Sequence, residues 1–310
     1  MVKNIINLEI NEVSSTLISD FISKNKNANL AKLLNKDNLK IYTTKALDVE
    51  KSKLYPSQTW ASFNTGKSYA DHKCYWYSDD LNCEELIWSK LVKKNKSVGV
   101  LGSIHSSKYP KDLLKNRNYK FYLPDCFSSN DLTKPIAYKS FQSLNNTLVG
   151  ESSRVTGLKN LFKTLSSYFI KTLLSPKKFG ISFFSLKMIF SIISYSIFYR
   201  NKEVLRMAQF PLIASIFYDL YIKYRPSYST LFSNHVAGNM HRYWYAYDQS
   251  SFNNKNKYSN KWIKKNKNLI PFSLDLVDDF IGHILNKEEF KKSIILITSS
   301  MGQEANPRFD

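Results

Sequence analysis

The chain has 310 residues, 43% of them hydrophobic, and a formal net charge of +20. That is enough apolar material for one large core without disulfides or structural metal, which excludes a disordered chain and a disulfide-stapled scaffold. The charge is dispersed over Lys- and Asn-rich loops such as KNKNAN and NNKNKYSNKWIKKNKN, so it reads first as surface composition and second as attraction for an anionic ligand. With no basic helix, zinc finger or RNA-binding signature, no nucleic-acid partner is expected.

Taken in chain order, NIINLEIN (residues 4–11) alternates and is rich in β-formers, which predicts a strand. Ser14 or Ser15 can cap the helix that follows to about Lys24. ANLAKLLNK predicts a second helix and LKIYTT a strand. CEELIWSKLVKK, acidic at its start and basic at its end, predicts another helix. SVGVLGSI (97–104) has the short apolar run of a strand buried on both faces, and YKFYLP predicts a further strand. From 154 to 224 the pattern turns helical and apolar, which reads as a helical cap insertion between two parts of one core, residues 1–153 and 225–310. After it STLFSNH predicts a strand, LDLVDDFIGHILNK a helix and KSIILITSS a strand, with 252–268 as a solvated loop. The alternation predicts an α/β fold, a three-layer sandwich with a mainly parallel central sheet.

FGISFFSLKMIFSIISYSIFY (179–199) is long enough to span a bilayer, but Lys187 and five serines interrupt it. It reads as a buried or amphipathic helix, with peripheral membrane contact through residues 154–224 as the alternative. Cys74, Cys83 and Cys126 are odd in number and lack metal-ligand spacing, which fits a reducing compartment. The opening MVKNIINLEINE has no apolar signal region, so a cytoplasmic location is expected.

Open α/β sheets bind ligands at the carboxyl ends of their strands. Glu9, Asn11, Thr59, His105, Asn234, His235, Ser299 and Ser300 fall at or just past such ends. Thr59 alone reads as a turn or cap residue, yet a hydroxyl at a helix start sits where a phosphate or sulfate would also bind. Asp275, Asp278 and Asp279 read as the wet face of a helix, and HRYWYAYD as core or pocket wall.

The segment YPSQTWASFNTGKSYADH (55–72) resembles the nucleophile segment of type I phosphodiesterases and nucleotide pyrophosphatases in the alkaline phosphatase superfamily. These carry an aromatic-Pro-Ser/Thr-x-Thr-aromatic run, then Thr-Gly, then His. The resemblance implies an alkaline phosphatase-like sandwich with Thr59 as nucleophile and Thr65, Gly66 and His72 as the trailing pattern. It also implies ligand contacts from Ser57, Trp60, Ser62 and Ser300, and a divalent metal, usually zinc, near Glu9, Asn11, Asn234, His235 and His241. Here the chain departs from the family pattern. Asn11, Asn234, Gly238, Ser300 and Met301 stand where Asp or His is expected, and the final His would lie beyond residue 310. Zinc needs N, S or carboxylate donors, so a complete dinuclear site is not expected. Two readings stay open: a phosphodiesterase- or phosphatase-like hydrolase or phosphotransferase acting on a phosphate or sulfate ester, and an inactive relative that binds an anionic ligand; in either, the chain reads as a C-terminally shortened member or a fragment of a longer one. A third has the cap working at a membrane surface.

Overall fold

Along Ile5–Ile10 (β1), Ile6, Leu8 and Ile10 enter one core while Asn7 and Glu9 point to the opposite face, because successive strand residues alternate sides. The computed structural model describes residues 4–34, 40–44, 54–127, 131–153, 166, 168–253 and 257–305. Within them β1 is joined by Val98–Leu101 (β2), Tyr119–Leu123 (β3), Tyr228–Ser233 (β4) and Ile294–Thr298 (β5). These five strands pair in parallel in the order β3-β2-β4-β1-β5, and Tyr122 of β3 also makes an isolated antiparallel bridge to Lys134. The register sets Asn7 beside Thr230 and Glu9 beside Phe232 and Thr298.

Parallel neighbours need crossover connections, and right-handed crossovers send leftward and rightward moves to opposite faces. Between β1 and β2 run α1 (Ser15–Lys24), α2 (Asn29–Leu34), α3 (Pro56–Thr65), α4 (Tyr69–His72) and α5 (Ile87–Lys93). Ala61 of α3 and Trp88 of α5 pack with Val98, Val100 and Tyr228 on the face that carries Asn7 and Glu9. Between β3 and β4 lie α6 (Lys139–Ser153), α7 (Phe183–Phe198) and α8 (Gln209–Tyr224). Between β4 and β5 lie α9 (His235–Tyr247), α10 (Asn260–Asn266), α11 (Leu269–Leu285) and α12 (Glu288–Lys291). Their apolar faces, including Phe217, Met240 and Phe280, join Ile6, Leu8 and Leu231 in the larger core. Helices therefore cover both faces, as the sandwich reading requires. Gly99 is required in β2 because a Cβ there would stand 2.2 Å from the Phe121 ring.

Several expectations are corrected. Residues 40–44 form no strand, and Ile41 and Tyr42 are exposed. The helix expected at 83–94 is a 3-10 turn, Cys83–Glu85, broken at extended Leu86 before α5. Within the stretch 154–224 read as a cap, α8 packs on β2, β3 and β4 as a layer of the β3-to-β4 crossover. Part of that stretch, 154–165 and 167, lies outside the described residues. The loop expected at 252–268 contains α10, whose Ile263 packs with Tyr245 and Phe252. HRYWYAYD, read as core or pocket wall, lies on α9 and at its end, with Tyr243, Tyr245 and Ala246 buried as that reading expects.

Asp278 is not on a wet face. It is buried on α11, where Oδ1 accepts from Leu30 N at 2.7 Å and Oδ2 from Asn29 N at 2.9 Å, so it caps the start of α2. Gly282, one turn on, makes room, since a Cβ there would meet the Asn29 amide at 2.3 Å. Asp278→Ala is expected to lower stability by about 1–3 kcal/mol in urea unfolding, because two α2 amides lose their acceptor. Gly282→Ala should also destabilise by displacing Asn29, with the two effects less than additive because both act on one contact.

Candidate active site at the divergent strand ends

β1 and β4 are adjacent, yet the chain leaves β1 toward β2 and leaves β4 toward β5. These two connections pass each other on opposite faces of the sheet, which makes the region between the two carboxyl ends the candidate ligand crevice of this α/β sheet. Asn11 and Asn234 stand there, one residue past each strand.

Asn11 is a fully occupied hub. Its Nδ2 donates to Asn234 Oδ1 at 2.8 Å and to Glu12 Oε1 at 2.9 Å, and its Oδ1 accepts from Trp60 Nε1 at 2.8 Å. It is 2% exposed, so these bonds lie out of water's reach and fix α3 to both strand exits. Glu12, missed by sequence reasoning, is also buried; its Oε2 lies 2.9 Å from Nε2 of exposed His241. Its backbone is left-handed at φ 59, a conformation rare for residues other than glycine, and this turns the carboxylate back to the crevice. A carboxylate three residues past Glu9, just beyond the strand, was the available signal.

Thr59 lies in the opening turns of α3, with Pro56 at its first position. Its half-buried hydroxyl is 2.8 Å from Ser300 Oγ, just past β5, and 3.2 Å from the carbonyls of Tyr55 and Pro56. No carboxylate or imidazole of the described residues hydrogen-bonds to it.

The other predicted residues are placed as follows. Ser57 is buried and donates to the Tyr75 carbonyl, and Trp60 is fully buried, so both act within the fold around the crevice. Ser62 Oγ is 2.8 Å from His72 Nε2, whose Nδ1 accepts from Cys74 N. His105 is buried and left-handed at φ 70, and its Nε2 donates to the Ser57 carbonyl at 2.7 Å. Burial pushes its pKa down to about 4, partly offset by that carbonyl. His235 donates from Nε2 to the Ser273 carbonyl at 3.0 Å and accepts at Nδ1 from Ser233. Burial lowers it to about 4 as well.

Glu9 is enclosed between sheet and α3. Its Oε1 accepts from Asn7 Nδ2 at 3.0 Å, and Oε2 has no hydrogen-bond partner among the described residues. Burial raises its pKa from 4.5 to about 8, partly offset by Ser103 and Asn7, so the carboxyl is mostly protonated at neutral pH.

Comparison with family models, curated proteins and solved structures finds no match to this chain.

The donors present do not suit a dinuclear zinc site. Asn11 is fully hydrogen-bonded, His235 has both ring nitrogens engaged, and Glu9 is buried as a neutral acid away from His241, which pairs instead with Glu12. Among the described residues no three His, Cys, Asp or Glu side chains gather as metal ligands. The crevice instead brings together hydroxyls, amides and one carboxylate–imidazole pair.

Two outcomes test this geometry. Asn11→Ala is expected to cost about 2–4 kcal/mol in urea unfolding, since it strands the buried Trp60 N–H and leaves Glu12 and Asn234 short of a donor. Glu9 binds its proton more tightly folded than unfolded, so stability should be unaffected below pH 4.5 and should fall as pH rises toward about 8. Glu9→Gln mimics the neutral acid. It should flatten that fall in thermal melts across pH, and an unchanged slope would remove Glu9 as its source.

Proposed function

We propose that the β1–β4 crevice binds a phosphate or sulfate ester and that Thr59 supplies the hydroxyl that meets its central atom. The observation that carries this reading is the 2.8 Å approach of Thr59 Oγ1, on α3, to Ser300 Oγ, just past β5, the strand that flanks β1 on the side away from β4. Two hydroxyls at a helix start and a strand end can hydrogen-bond adjacent oxygens of one tetrahedral anion. The likeness of residues 55–72 to the phosphodiesterase nucleophile segment supports the same role.

In the catalytic form, Thr59 Oγ1 bonds to phosphorus as the ester P–O bond breaks. The hydroxyl proton leaves to solvent, and the departing alkoxide is protonated from solvent. Water then cleaves the Thr–phosphate bond for hydrolysis, or an alcohol takes the phosphoryl group for transfer. A second reading, binding without turnover, is favoured by the lack of any described base on Thr59. Hydroxyl nucleophiles are weak without a base, a lowered pKa or a metal.

Release of nitrophenolate from bis(p-nitrophenyl) phosphate, p-nitrophenyl phosphate and p-nitrophenyl sulfate, with and without added zinc, separates the two. Turnover by the native chain that Thr59→Ala lowers at least roughly 100-fold supports catalysis. Absence of turnover, with phosphate raising the melting temperature of native protein but not of Thr59→Ala, supports binding. Neither response would overturn both.

A further inference from the structure

We infer that α7 lays an apolar stripe onto the surface of an anionic lipid bilayer; this stands independently of the reading of Thr59. The helix has two apolar faces. Met188 and Ile192 are buried against the protein, and α7 packs on α8 and on the 3-10 segment Lys202–Ala208. Phe183, Leu186, Phe190, Ile193 and Ile197 recur at spacings of three and four, which at about 100° per residue places them along one line opposite the buried pair. They are 42–89% exposed, and Phe198 beside them is 80% exposed. In the helical stretch 168–174, Leu173 and Leu174 are also 64% and 79% exposed. The α7 stripe marks an interaction site, since scattered exposed apolar residues are ordinary but a stripe is not.

Charge identifies the occupant. Lys177 and Lys178 stand exposed in the turn before α7, Lys187 lies beside the stripe, and Arg200 and Lys202 follow its end. Asp219 faces Lys177 and Asp279 faces Lys187, and neither comes within ion-pair distance. Cations at both ends disfavour a second copy of the chain: antiparallel stacking would set Lys177 and Lys178 against Arg200 and Lys202, and parallel stacking would oppose like ends. A phospholipid surface offers phosphates at the height of these side chains and acyl chains beneath for the phenylalanines. The geometry is that of a helix lying in the interface plane, and no helix among the described residues is long and apolar enough to cross a membrane.

Flotation of the full chain on a density gradient tests this, using vesicles of phosphatidylcholine alone and of phosphatidylcholine mixed with phosphatidylglycerol. The native chain should rise with the mixed vesicles, less so at high salt, and only weakly with phosphatidylcholine. The triple change Phe183→Ser, Phe190→Ser, Ile197→Ser should lower partition at least roughly tenfold, as should Lys177→Glu with Lys178→Glu. All five sites are exposed, so circular dichroism should match the native chain. A native chain that stays at the bottom with mixed vesicles overturns the inference. So does a triple variant that floats equally well, or flotation that ignores lipid charge and salt. A dimer that the triple variant splits, without flotation, would assign the face to a second copy and overturn it too.

Discussion

The carboxamide of Asn11 is the joint on which the crevice depends. One planar group with two donors and an acceptor ties together β1, the exit of β4, the indole of α3 and the carboxylate of Glu12. Asparagine suits this position because aspartate would offer no donor to Asn234 or Glu12, and a buried second carboxylate beside Glu12 would add like-charge repulsion. The departure from a metal-ligand pattern at this residue thus has a positive counterpart: an amide that crosslinks elements where a carboxylate would bind a cation. Trp60, locked by that bond and packed edge-on against Phe232, holds α3 in place. Thr59, the preceding residue, is thereby fixed beside Ser300.

The face of the sheet beneath α3 is unusually polar. Asn7 accepts from Thr298, Ser103 meets Thr230, and Glu9 lies among them. Buried polar groups cost free energy unless hydrogen-bonded, and most of these are. The protonated state of Glu9 follows from the same rule, since it removes the charge that burial would penalise most.

Much of this was legible in the sequence where one physical signal dominated. Alternation in NIINLEIN, apolar runs in SVGVLGSI and KSIILITSS, and the Ser14 cap all reappear as expected, because short-range pattern determines them. Legibility ended where tertiary contacts decide. Asp278 has a solvent-facing sequence context, yet α2 docks on it. Gly238 and Asn239 weaken the helical signal at the start of α9, and its many aromatics suit strands as well as helices. At the crevice, strand-end reasoning located Asn11, Asn234 and Ser300. Nothing local announced that the sheet order would place Ser300, 241 positions away, against Thr59. Glu12 escaped because its left-handed backbone is invisible in sequence.

Among the described residues β5 borders the sheet, and Ile294, Leu296 and Ile297 on it are 39–44% exposed. A strand with an open flank is a template on which any extended chain can grow, a hazard for a sequence with so many isoleucines. Lys291 and Lys292, three and two residues ahead of it, set cations at its start, Lys291 beside Glu288, and like charges there oppose the in-register approach of a second copy. The excess of lysine thus also has a colloidal role, keeping copies of the molecule from templating one another through their sheet borders.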